Sequence, residues 1–249
     1  MKNGFLAVLG VAALAFGGPA FAATQWSLTT GNNNVVTWGN ERQYSSDGID
    51  LTATAWSNTG AGGAIQDAYL PVWSGGLGVM NRNENGTSPN HSTDNYGYYD
   101  SILFTFSDLI ALQSVQLGWT YRDSDITVLA YTGAGTPSLA GASYDNLLAS
   151  GWSLIGHYAN LATNVPRAVN AGEVASSYWL IGAYNPLVGN SAGWTTGDDY
   201  TKISSLTGVK VTPPPPSNPV SEPGSLALAG LAMLGLIGMR RRRHDGQPG

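Results

Sequence analysis

The chain has 249 residues and no cysteine. That absence excludes disulfides, thiol nucleophiles and cysteine-ligated metal sites, so any exported part must hold together by packing alone. Charge is also scarce, at 11% of residues. Lysine and glutamate, which soluble surface helices usually need, are the scarcest of the charged types, while Gly, Ser, Thr, Asn and aromatics abound. That balance disfavours helices and suits strands and turns. A long uninterrupted apolar run is missing too. The longest, residues 226–239, spans about 21 Å as a helix against a hydrocarbon core of roughly 30 Å.

What is present begins at the ends. Residues 1–22 combine Lys2, an apolar stretch and the small residues Ala20 and Ala22, and read as a secretory signal peptide cleaved before Ala23. At the other end stand Val220, Ser221, Glu222 and Pro223, then the apolar run 226–239, then Arg240, Arg241, Arg242 and Arg243, and a polar tail over 244–249. The apolar run is expected to be one transmembrane helix, lengthened by snorkelling of the arginines. Four consecutive arginines favour the cytoplasmic side, which places the body of the chain outside. Residues 213–219 contain four consecutive prolines and read as a stiff polyproline linker.

The order of breaker motif, short apolar helix and arginine cluster over residues 220–243 resembles the PEP-CTERM sorting signal of Gram-negative envelope proteins. Glu222 and Pro223 match the second and third motif positions, and Ser221 stands where the first proline is usual. The resemblance implies a substrate of exosortase, a membrane-embedded cysteine protease-transpeptidase, with signal peptidase acting at the other end. It implies delivery through the inner membrane to the cell envelope, surface or extracellular matrix. It also implies an association with exopolysaccharide.

The span between the targeting segments carries six basic and fourteen acidic residues, a net charge of −8, which argues against nucleic acid as a partner. It is long enough to bury a core as one domain over residues 23–212. Strand-like runs recur at 35–38, 51–56, 102–106, 115–121, 126–131, 152–158, 177–184 and 209–212, with a short helix at 144–150 between Ser143 and Gly151. The polar corner at 122–125 suggests a hairpin joining 115–121 to 126–131. The expected fold is all-β, a single β-sandwich domain of jelly-roll type, with a closed barrel as its competitor.

Chemistry is harder to find. Gly189-Asn190-Ser191-Ala192-Gly193 fits G-x-S-x-G, but its flanks read as loop and the only downstream histidine is His244 in the tail, so Ser191 is expected to be a turn residue. The polar stretch 81–100 reads as a binding loop. Within it Asp94, Asn95 and Asp100 are candidate oxygen ligands for calcium, without EF-hand spacing. His91 and His157 lack a zinc-ligand pattern. Trp56, Trp73, Tyr96, Tyr98 and Tyr99 lie near Gly-rich loops, where flat rings can stack on sugars or fill a core. The chain is expected to be a non-enzymatic surface protein without a cofactor. The alternative is a carbohydrate- or calcium-binding module. A hydrolase would need Asp94 or Asp100 paired with Asp123 or Asp125 across a groove.

Overall fold

Thirteen strands and three short 3₁₀ turns follow one another through residues 22–212, the part of the chain that the computed structural model describes. The strands β1 (Thr24–Ser27), β2 (Glu41–Ser46), β3 (Ile49–Ser57), β4 (Gln66–Asp67), β5 (Val72–Trp73), β6 (Gly76–Leu77) and β7 (Thr93–Asp94) precede a strand of 23 residues, β8 (Asp100–Arg122). After it come β9 (Ile126–Tyr131), β10 (Trp152–Tyr158), β11 (Arg167–Ala168), β12 (Ala175–Ala183) and β13 (Asp199–Lys210). No helix among the described residues is long and apolar enough to cross a membrane. The signal peptide, linker, sorting motif, membrane helix and polar tail expected from the sequence lie outside the described residues, apart from Ala22.

β8 organises the rest. Its first arm pairs with β3 on one side, from Leu51↔Phe106 to Ser57↔Asp100, and with β12 on the other. Its second arm pairs with β13, from Lys210↔Ile110 to Asp199↔Arg122. β9 and β10 continue outward from β12, β2 continues from β3, and β1, β6 and β7 line the far side of β13. The expected all-β class is observed, as one continuous hydrogen-bonded sheet. The sequence segments 102–106 and 115–121 are the two arms of this one strand.

The arms part at residues 106–109, where the β8–β12 register jumps from Tyr178↔Thr105 to Ser176↔Ile110, and further extra residues interrupt the β8–β13 ladder of the second arm. Between paired positions, Gln113 and Gly118 are additional on β8 and Ser204 is additional on β13. Each such bulge bends its strand and increases the local twist. The two ends of the sheet then share one core. Ile49, Leu51, Ala53 and Ala55 alternate inward along β3, and they join Phe104 and Phe106 of one arm with Val115, Leu117, Ile203 and Leu206 of the other. A second apolar cluster, including Leu129, Leu180 and Trp152, lies under the segment that carries Leu139, Tyr144 and Leu147.

Several local expectations change. Residues 35–38 are not a strand, and Val35 and Val36 are exposed. The strand is β2, whose sequence Glu-Arg-Gln-Tyr-Ser-Ser has no apolar alternation. It forms because Asp47 (φ 50°) and Gly48 (φ 73°) make the two-residue turn that joins it to β3. The hairpin expected at 122–125 does not form either: β9 pairs with β10 and β12, not with β8. The 144–150 helix is two 3₁₀ turns, Tyr144–Asn146 and Leu148–Ser150, ended by left-handed Gly151 as expected. Ser143 does not cap a backbone N–H; its hydroxyl turns to Asp145.

Candidate functional site

Three carboxylates meet where β3, β7 and β8 approach one another. Asp100 opens β8 opposite Ser57, the last residue of β3. Asp94 ends β7, held by pairing to Tyr200 of β13. Glu84 comes from the loop between β6 and β7, and Asn81 fixes it there. The Asn81 backbone N–H donates to Glu84 Oε2 (3.0 Å), and the Asn81 side-chain Nδ2 donates to Asp100 Oδ1 (3.3 Å). One carboxylate oxygen from each of Glu84, Asp94 and Asp100 lies within 4.8 Å of the other two. Asp94 and Asp100 are each only 1% exposed.

The polar accounting of this cluster is incomplete. Asp94 Oδ1 accepts the Tyr96 N–H (3.0 Å), but Asp94 Oδ2, Asp100 Oδ2 and the buried Ser57 hydroxyl have no partner. Among the described residues the ion pairs are Arg82–Asp67 and Lys210–Asp108, and none of the described cations pairs with the cluster. Two carboxylate charges at such a separation repel by roughly 3 kcal/mol at an effective dielectric of about 20. Burial, and then the Asp94 charge, push Glu84 up to about 8. Burial pushes Asp94 up to about 7. Burial, and then the charges of Glu84 and Asp94, hold Asp100 well above the ordinary carboxylate range. Three negative charges here require either protons or a bound cation.

A second acidic cluster, Asp123, Asp198 and Asp199, is more fully hydrogen-bonded, and Asp198 Oδ1 is its one buried oxygen without a partner. Asp199 accepts the Asp125 N–H at Oδ1 (2.7 Å) and the Asn95 amide at Oδ2 (2.6 Å). Asp123 accepts the Ser124 N–H (2.8 Å), Asp198 accepts the Thr195 hydroxyl (3.0 Å), and Asp125 accepts the Asn160 N–H (2.7 Å). These bonds fasten the corner where the chain leaves β8 for β9, which replaces the expected hairpin. Burial pushes Asp199 up to about 7.

The structure thus sorts the sequence candidates. Asp94 and Asp100 share one cluster, whereas Asn95 serves the other, donating to Tyr184 O (3.0 Å) and accepting the Gly197 and Asp199 N–H groups. Neighbours in extended chain point to opposite sides, so Asp94 and Asn95 part company. Glu84 is the residue that sequence reading passed over. The nearest sequence signal is its place three residues after Asn81, the spacing of a turn.

The second arm of β8 carries an aromatic row. Beyond the Gly118 bulge the alternation reverses, so Trp119 and Tyr121 face away from Leu117 and pair with Lys202 and Tyr200 of β13. Trp119 stacks on Tyr121 (6.4 Å), Tyr121 meets Tyr200 edge-on (5.6 Å), and Tyr200 adjoins Tyr96 (6.5 Å). Lys202 Nζ lies 4.1 Å from the Trp119 ring centre and 5.4 Å from that of Trp73, and hydrogen-bonds to His91 Nε2 (3.2 Å). Burial pushes Lys202 down to about 8. Trp73 (40%), Tyr121 (46%) and Tyr96 (59%) expose their rings, whereas Trp56 and Tyr99 pack against the second apolar cluster.

The Ser191 hydroxyl hydrogen-bonds to the Tyr184 hydroxyl (2.9 Å) on an exposed loop beyond β12, so G-x-S-x-G is not a strand-to-helix elbow here. His157 Nδ1 bonds to the Thr127 hydroxyl (2.9 Å), and neither histidine joins a carboxylate cluster.

Residues 219–243 match the family model described as the PEP-CTERM protein-sorting motif. No curated protein and no solved structure matches the chain.

Proposed function

We propose that this chain, whose tail carries a PEP-CTERM protein-sorting motif, is an exported envelope or surface protein and the substrate of an exosortase-type membrane protease-transpeptidase. The motif at residues 219–243 carries the reading. In it, signal peptidase cuts after Ala22, and the apolar run 226–239 halts in the inner membrane with Arg240, Arg241, Arg242 and Arg243 on the cytoplasmic side. The protease then recognises Val220, Ser221, Glu222 and Pro223, and the β-rich body is attached to the surface or released into the matrix. The body has a structural, non-enzymatic role. In support, Asp94 and Asp100 are buried in one cluster and Asp123 belongs to another, an arrangement unlike a carboxylate pair facing across a substrate groove.

Mass spectrometry of the protein recovered from its native host tests this. A chain starting at Ala23 and ending near Pro223 is the expected product. A chain that still carries residues 226–249 would make the tail a plain anchor and overturn the processing step.

A second reading, that the body also binds polysaccharide, is favoured by the aromatic row from Trp73 to Tyr96. Exposed flat rings beside polar loops stack on sugar faces at little conformational cost. Retention of the full chain on exopolysaccharide from the host, lost when Trp73 and Tyr121 are truncated, is the expected result. Equal retention of the truncated chain would remove this reading.

A further inference from the structure

We infer that Glu84, Asp94 and Asp100 form a calcium site that ties the β6–β7 loop to the β3–β8 ladder. The inference rests on the body of the chain and is independent of the sorting reading.

The donor set selects the ion class. All the ligands are oxygens, with no imidazole or thiol in the cluster, so hard cations are favoured over zinc or copper. Oxygens on one calcium ion, each about 2.4 Å from it, can be at most about 4.8 Å apart. The three carboxylates meet that limit. Two of them, Asp94 and Asp100, retain an oxygen with no partner, and the unpartnered Ser57 hydroxyl sits across the ladder from Asp100. Ser57 is fully buried, uncharged and outside the acidic trio; its hydroxyl lies against Asp100, whose carboxyl it helps to hold down, yet it makes no hydrogen bond of normal geometry.

Burial separates calcium from magnesium. A site closed around Asp94 and Asp100 leaves room for few waters, and magnesium gives up its waters reluctantly, whereas calcium accepts six to eight protein oxygens in flexible geometry. Bidentate carboxylates with the Ser57 hydroxyl approach that number.

The test uses the full chain, stripped of metal with a chelator, and calcium chloride as the probe. Calorimetric titration is expected to show one calcium per chain. The melting temperature should rise by roughly 5–10 °C at about 100 times the dissociation constant. Magnesium should give a much smaller rise. Glu84→Gln and Asp100→Asn should each abolish the calcium-dependent rise, and Asp198→Asn should retain it. No rise at about 10 mM calcium, some ten times the weakest affinity of extracellular calcium modules, overturns the site. So does an equal rise with magnesium, or a rise that survives Glu84→Gln and disappears in Asp198→Asn. If Asp100→Asn does not fold, the wild-type titration and Glu84→Gln decide alone, because Glu84 lies on a loop and not in the ladder.

Discussion

The indole Nε1–H of Trp26 donates to the backbone carbonyl of Ile49 at 3.1 Å, in a fully buried bond that joins β1 to β3 across the core. The same ring meets Phe106 edge-on, with centroids 4.9 Å apart. β1 pairs only with β13, so this tryptophan is a direct side-chain link between the two ends of the folded sheet. Trp26→Ala should cost about 3–5 kcal/mol through lost burial and a cavity. Trp26→Phe keeps most of the volume and withdraws the donor, and should cost about 1–2 kcal/mol. Urea denaturation of both variants checks the order. A Trp26→Phe variant as stable as wild type would mean that the hydrogen bond contributes nothing.

Gly118 should tolerate no side chain. A Cβ there would lie 2.5 Å from the Gly75 carbonyl oxygen and 2.8 Å from Ser204 Cβ. Gly118→Ala must push the β5–β6 turn away from β8, at about 1–3 kcal/mol. It should also disturb Trp73, which that turn carries. A lower melting temperature together with changed tryptophan fluorescence is the expected pair of observations.

The metal-free chain should have an unusual pH dependence. Glu84 and Asp94 are raised to about 8 and about 7, above their values in unfolded chain. Between about pH 4 and those values the folded state holds more protons than the unfolded state, so their contribution to stability falls as pH rises. It is fully present below about pH 4 and lost on passing through 7 to 8. Melting temperatures of the chelated wild-type chain should therefore decline from pH 5 to pH 8. Glu84→Gln should flatten the last part of that decline. A parallel decline in wild type and variant would show that Glu84 does not titrate in this range.

Truncating the exposed rings should separate binding from folding. Tyr121 is nearly half exposed but stacks on Trp119 and meets Tyr200, so Tyr121→Ala should cost about 1–2 kcal/mol and leave the chain folded. If the row holds sugar, the same change weakens polysaccharide retention. Unchanged retention with lowered stability would leave the row a packing feature only.

Processing should depend on the tail motif and not on the body. Glu222→Ala or Pro223→Ala, made in the native host, should leave residues 226–249 on the recovered chain. Glu84→Gln should leave processing as in wild type. Normal trimming of the Glu222 and Pro223 variants would show that neither residue is recognised.

The all-β class, the tail sorting motif and several strands are properties of local sequence. β9 and β10 coincide with the strands read at 126–131 and 152–158, because apolar alternation and turn residues mark both of their ends. The tail motif is equally local, since it is read as a linear segment. β13 shows the opposite case. Its Ser, Thr and Lys residues give no apolar alternation over most of its length, yet Thr201, Lys202, Ser204 and Ser205 are all buried. β8 reads as two strands because exposed Ser107 and Leu109 interrupt the pattern, and residues 107–109 also lie between its paired segments, where the register with β12 jumps from Thr105 to Ile110. Nor does sequence spacing place Glu84 beside Asp100, or turn Trp119 away from Leu117. The first depends on where β7 docks on β13, and the second on one extra residue at Gly118. Hydrophobic periodicity and short motifs are written along the chain. The meeting of Glu84 with the buried Asp94 and Asp100 is set by long-range strand register, which exists only once the sheet has closed.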